Sequence, residues 1–218
     1  MVTILITRPQ YELTTHYLFS WSKKIIEFAQ SRGDKILDLK GKRVTRENFE
    51  VMLRKMSPQL VLLNGHGNDN VVCGQDDEEI LIANDNEVLL GEKIIYALAC
   101  RTSNILGKKS VDNGATCYIG YQEDFLFWTH PNYATKPLDD PRAKMFLEPS
   151  NLLSTSLVKG HAAYEAVAKT KKAMLENIQK LIATDSPDQF MIPDILWDIG
   201  NLVCLGDQNA KLKSNQEF

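Results

Sequence analysis

The chain has 218 residues, 44% of them hydrophobic, with 25 Lys and Arg against 28 Asp and Glu for a formal net charge of −3. That is enough apolar material for one sizeable core, and one large α/β domain is the simplest count. There is no basic excess of the kind nucleic-acid binding uses, no apolar run near the about 20 residues of a membrane span, and no signal-like start in MVTILITRPQ. A cytoplasmic protein is expected, with no direct nucleic-acid or membrane partner.

The elements follow in chain order. VTILIT (2–7) is a short β-branched run that reads as a buried strand. Residues 10–32 carry Tyr17, Leu18, Trp21, Ile25, Phe28 and Ala29 at helical spacing and stop at Gly33. KILDL (35–39) predicts a second strand. Thr45 predicts an N-cap for a helix over 46–56, with Asn48 where a capping box prefers Glu, and Pro58 ends it. QLVLLNG is apolar on both faces, as in a parallel sheet. NVVC and EEILIA suit a small hairpin around the acidic turn Gln75-Asp76-Asp77, whose charges are read as solvated.

EKIIYALAC (92–100) predicts the fourth core strand and Ser103 to Val111 a short helix. ATCYIGY (115–121) predicts the fifth strand. Residues 122–142 read as a long loop, a kind of segment that often carries function. Helical patterns cover 143–158 and 160–183, and NLVCLGD (201–207) predicts a sixth strand. The expected domain is 1–208, with 209–218 as a polar tail. The alternation of strand and helix predicts a doubly wound, mostly parallel six-stranded sheet with helices on both faces.

Two strand ends stand out. LVLLNGHGNDN closes on Asn-Gly-His-Gly, and IIYALACRTSN closes on a cysteine. Ligands and chemistry gather at the carboxyl ends of parallel strands. If these two strands are neighbours, His66 and Cys100 emerge at the same sheet edge, which is what nucleophilic catalysis requires: a thiol beside a base. Gly65 and Gly67 permit backbone angles closed to other residues. The N–H groups of Gly67 and Cys100 suit an oxyanion hole. A helix beginning after Cys100, capped by Thr102 or Ser103, would favour the thiolate. Either residue alone reads as ordinary: a turn histidine, or a packed thiol. It is the pairing that points to chemistry.

Cys73, Cys100, Cys117 and Cys204 form no CxxC pair, and His16, His66, His130 and His161 no HxxxH pair. No disulfide, metal site or cofactor is expected. Cys117 and Cys204 read as core, Cys73 as structural, and His161 as surface. Neither GxGxxG nor GxxxxGK[ST] occurs, which argues against nucleotide binding.

LVLLNGHGN followed by IIYALACRTSN resembles the paired motif of the caspase-like (clan CD) cysteine peptidases, which include caspases, gingipains, separase and legumain. Within them the sequence is most similar to the CHAT group: ALACRTS, GATCYIGY, LVKGHAAYEAVAKTKKAM and LWDIGNLVCLGD resemble its successive blocks, over about residues 60–207. The resemblance implies a caspase-like fold and a Cys100–His66 dyad that cleaves a protein or peptide substrate through an acyl-enzyme. It also implies control by a separate sensor or regulatory protein. The Gln-Ala-Cys-Arg-Gly block of caspases is absent, so specificity for Asp is not implied. In such a fold the segment after the fifth strand borders the cleft. There Glu123, Asp124 and Trp128 are candidate substrate contacts, followed by His130 and Tyr133, with Asp124 the better candidate to receive a basic P1 residue. The competing reading is a catalytically inactive caspase-like binding or regulatory module.

Overall fold

The computed structural model describes residues 1–212. Six strands form one sheet: β1 (Thr3–Arg8), β2 (Lys35–Lys40), β3 (Leu60–Asn64), β6 (Ile94–Leu98), β7 (Cys117–Tyr121) and β8 (Leu202–Gly206). Their order is β2-β1-β3-β6-β7-β8, parallel except for β8, which runs antiparallel to β7. A separate antiparallel hairpin pairs β4 (Val71–Cys73) with β5 (Glu79–Ile82), as the sequence predicts.

Side chains alternate across a strand, so each central strand feeds two cores. On one face Ile4, Ile6, Leu60, Leu62, Tyr96 and Ile119 pack against α1 (Leu13–Ser31), α4 (Pro141–Val158) and α5 (Ala163–Ala183). On the other, Leu5, Val61, Leu63, Ile95 and Tyr118 meet α2 (Arg46–Met56), α3 (Leu106–Asp112) and the hairpin. Burial on both faces explains why these strands read as continuous apolar runs.

The caps explain the helix boundaries. Thr45 Oγ1 accepts the Asn48 N–H at 3.3 Å, and Ser57 leaves α2 in the left-handed region just before Pro58. Asp140 caps α4 ahead of Pro141. α1 starts on Glu12, whose carboxylate accepts the Thr14 N–H at 2.7 Å and the Thr15 N–H at 2.5 Å.

Two elements differ from expectation. Residues 192–201, for which no helix is predicted above, form α6 (Ile192–Asn201). The helix expected from Ser103 begins at Leu106. Beyond β8 the chain closes on the start of α5: the Ala163 N–H donates to the Ala210 carbonyl at 3.0 Å, and Ala210 is buried. Residues 213–218 of the expected tail lie outside the described residues.

Candidate active site

β3 and β6 are hydrogen-bonded neighbours with Asn64 opposite Leu98, so both chains leave the sheet at one edge. Asn64 fixes that edge. Its Nδ2 donates to the Thr7 carbonyl at 2.8 Å, and its N–H donates to Thr7 Oγ1 at 3.0 Å. This carries the β1–β3 contact past the last paired residues.

Gly65 then has φ 154, and a Cβ there would lie 2.4 Å from the Cys73 carbonyl oxygen. Only glycine fits. The next carbonyl, of His66, accepts the Cys73 N–H at 2.8 Å, so the hairpin braces the histidine from behind. Gly67 is needed for a reason other than the expected backbone freedom: its φ is ordinary. A Cβ there would meet Thr102 Cγ2 at 2.8 Å and Ala99 Cβ at 3.1 Å. The His66 loop therefore lies directly against the residues on either side of Cys100.

Cys100 sits on a turn rather than at a helix start. Arg101 adopts φ 57, and α3 begins only after Ile105, which makes no side-chain cap. Thr102 and Ser103 are buried against Gly120 of β7 and do not cap the helix. The expected help of a helix N-terminus to the thiolate is absent, because five residues separate Cys100 from the first residue of α3.

Three segments are bonded together around this turn. Arg101 N–H donates to the Glu123 carbonyl and Ser103 N–H to the Tyr121 carbonyl, each at 3.1 Å. Asn104 Nδ2 donates to Asp69 Oδ1 at 2.8 Å and to the Gln122 carbonyl at 2.7 Å. The histidine loop, the cysteine turn and the chain after β7 thus share one corner.

Burial pushes the Cys100 thiol up. The Phe125 N–H and the Arg101 charge oppose this, while Asp124 and Asp198 add to it. His66 Nε2 lies 3.4 Å from Glu12 Oε1, and its ring meets the edge of Tyr11 with centroids 6.3 Å apart. Burial alone would raise the Glu12 carboxyl. The N–H groups of Thr15 and Thr14, the Thr15 hydroxyl and His66 bring it below the ordinary carboxylate value. Tyr11 reaches across to Asp77 through its hydroxyl. Neither Tyr11 nor Glu12 stands out in the sequence as a site residue.

Asp124 lies beside the cysteine turn, and its Oδ1 is 3.2 Å from Arg101 Nε. The approach is close enough for an ion pair but lacks hydrogen-bond alignment. Arg101 therefore turns towards Asp124. Trp128 stacks edge-on with Phe190 at 5.0 Å and donates to Asp194 Oδ2 at 2.6 Å. His130 and Tyr133 contact each other further along the loop, with ring centroids 5.6 Å apart.

Cys73 is buried, its thiol pushed up to about 11 by burial and by Asp77 and Glu79. Cys117 and Cys204 pack in one core, where their mutual hydrogen bond raises Cys117 and lowers Cys204. His161 lies at the surface beside Lys169 and Glu165. Among the described residues, no group of three metal-ligating side chains occurs, and no helix is long and apolar enough to cross a membrane.

No protein-family model matches the sequence, and no curated protein does. Solved structures do match. The fold is the caspase-like fold of gingipain R. The crystal structure of the Arg-specific cysteine proteinase gingipain R aligns at TM-score 0.63 and 12% identity over 95% of this chain. The complex of Porphyromonas gingivalis RgpB pro- and mature domains aligns at 0.58 and 11%, also over 95%. This chain spans 46% and 47% of those two chains, less than half of each. At such identities the likeness concerns the caspase-like architecture alone.

Proposed function

We propose that the protein is a cysteine endopeptidase, CHAT-like in type, that uses a Cys100–His66 dyad. One observation carries this reading: His66 and Cys100 leave adjacent parallel strands at the same edge, and Gly67 seats one loop on the other. The fold likeness to a cysteine proteinase supports it.

The chemistry follows from the geometry. Because burial raises the thiol, proton removal has to accompany attack rather than precede it. His66, its Nε2 turned towards Glu12 at 3.4 Å, serves as the base. The Cys100 proton passes to His66 as sulfur bonds the substrate carbonyl carbon. The N–H groups of Gly67 and Cys100 receive the oxyanion. His66 then protonates the leaving amine as the C–N bond breaks, giving a thioester. Water, deprotonated by the same histidine, releases the acid and restores the thiol. Glu123, Asp124 and Trp128 line the substrate side, and exposed Asp124 favours a basic P1 residue.

The domain assigned to this activity is residues 1–208, acting in the cytoplasm without a cofactor and under the control of a separate regulatory protein. The gingipain R neighbour seen as a complex of pro- and mature domains gives that last point its analogy. An inactive binding module is the competing reading, and one experiment separates the two. Treat the protein with an acyloxymethylketone peptide probe and map the adduct. Selective labelling of Cys100, lost in His66→Ala, supports the peptidase. Labelling spread over several cysteines, or unaffected by His66→Ala, contradicts it.

A further inference from the structure

The segment after β7 is gripped from two sides. The Cys100 turn holds it through Arg101 and Asn104, as described. From the other side α6 holds it through three bonds, each of 3.0 Å: Gln122 N–H to the Asn201 carbonyl, Trp197 Nε1 to the Asp124 carbonyl, and Leu126 N–H to Asp198 Oδ1.

Asp198 is the unusual member. It is 0% exposed, and its Oδ2 makes no hydrogen bond among the described residues. The titratable groups facing it are Asp194 one turn earlier on α6, Cys100 on its turn, Tyr96 on β6 and Tyr121 on β7. All become negative on ionising. Burial, and secondarily Asp194, pushes the Asp198 carboxyl well above the usual range, with the Leu126 N–H opposing. An unpaired carboxylate in such a place is costly, so burial favours the neutral acid.

We propose that Asp198 is a positioning residue for the Cys100 nucleophile: its Oδ1 fixes the Leu126 N–H, and so fixes residues 123–126 against the turn that carries the thiol. The preceding N–H, of Phe125, is the group that favours the Cys100 thiolate. The Glu123 carbonyl holds Arg101 in its left-handed conformation. Both contacts move if Leu126 is released. The proposal rests on the reading of Cys100 as the nucleophile.

The test uses two readouts. One is kcat and KM on a peptide substrate. The other is the pH profile of Cys100 alkylation by iodoacetamide, followed by peptide mass, which needs no turnover. Asp198→Ala removes the acceptor: kcat falls about ten- to a hundred-fold with KM little changed, as misplacement of a reacting group does, and the alkylation midpoint moves to higher pH. Asp198→Asn restores a neutral acceptor and recovers both. A folded Asp198→Ala with the wild-type profile and kcat overturns the proposal. So does an Asp198→Asn as impaired as Asp198→Ala, or one whose midpoint drops, which marks an ionised native group. If Asp198→Ala does not fold, Asp198→Asn decides: an unchanged profile supports the proposal and a shifted one overturns it. Alkylation shifts without turnover on any peptide support the role of Asp198 and defeat the peptidase reading.

Discussion

Glu12 Oε1 lies 3.4 Å from His66 Nε2, and the same carboxylate caps α1 through the Thr14 and Thr15 N–H groups. One side chain thus ties the start of a helix to the candidate base. Glu12→Gln keeps the shape but loses the charge that orients the ring. A fall in kcat of about tenfold is expected, within the range of general acid–base effects. The cap weakens as well, by about 1 kcal/mol. Glu12 has a folded-state pKa below its unfolded value, so its contribution is present above the unfolded pKa and is lost as pH falls through the folded one. Stability curves of wild type and Glu12→Gln should converge in acid. Curves that stay parallel there would contradict this.

Gly67→Ala tests the contact between the two loops. The added Cβ would press on Thr102 Cγ2, the Val71 carbonyl oxygen and Ala99 Cβ at 2.8, 2.9 and 3.1 Å. Overpacking of this kind costs about 1–3 kcal/mol. Activity should fall by more than stability alone explains, because the displacement separates His66 from Cys100. Thermal melts beside kcat measure the two effects, and a stable variant with wild-type kcat would refute the contact's role.

Arg101 and a basic P1 residue compete for the Asp124 carboxylate. If Asp124 receives a basic P1 residue, Arg101 is its resting counter-ion and must yield. In a positional-scanning peptide library, Arg101→Ala should sharpen cleavage after Arg or Lys, and Asp124→Asn should abolish that preference. Wild-type cleavage after Asp, or an apolar preference unchanged in Asp124→Asn, would eliminate the assignment.

Asp198 makes a stability prediction of the opposite sign to Glu12. Its folded pKa is raised, so above the unfolded carboxylate pKa the unfolded chain releases a proton that the folded chain keeps. Its effect is therefore to lower stability as pH rises from the ordinary carboxylate pKa towards the folded one. Denaturant midpoints of wild type relative to Asp198→Asn should fall over that window. A difference independent of pH would show an ordinary carboxyl.

The sheet was legible because its central strands are buried on both faces and bounded by Pro58, Gly65 and similar breaks. His66 and Cys100 were legible as the ends of two such runs. α6 was missed although Ile192, Ile195 and Ile199 recur at helical spacing and pack in one cluster, because the neighbouring Leu196 and Trp197 are half exposed and blur that face. Glu12 was hidden for another reason. It reads as a helix-start acid, and only the fold brings that start to the end of β3. The Cys100 turn misled through Thr102 and Ser103, which are good cap residues but are buried against Gly120 instead.

Cys100 as the nucleophile of a peptidase is tested by hydrolysis of a mixed peptide library by wild type and by Cys100→Ala, each shown to be folded. Little stability is at stake, about 1 kcal/mol, since the residue is only half-buried. The account predicts cleavage by wild type and none by Cys100→Ala. Cleavage by Cys100→Ala at the wild-type rate would contradict it.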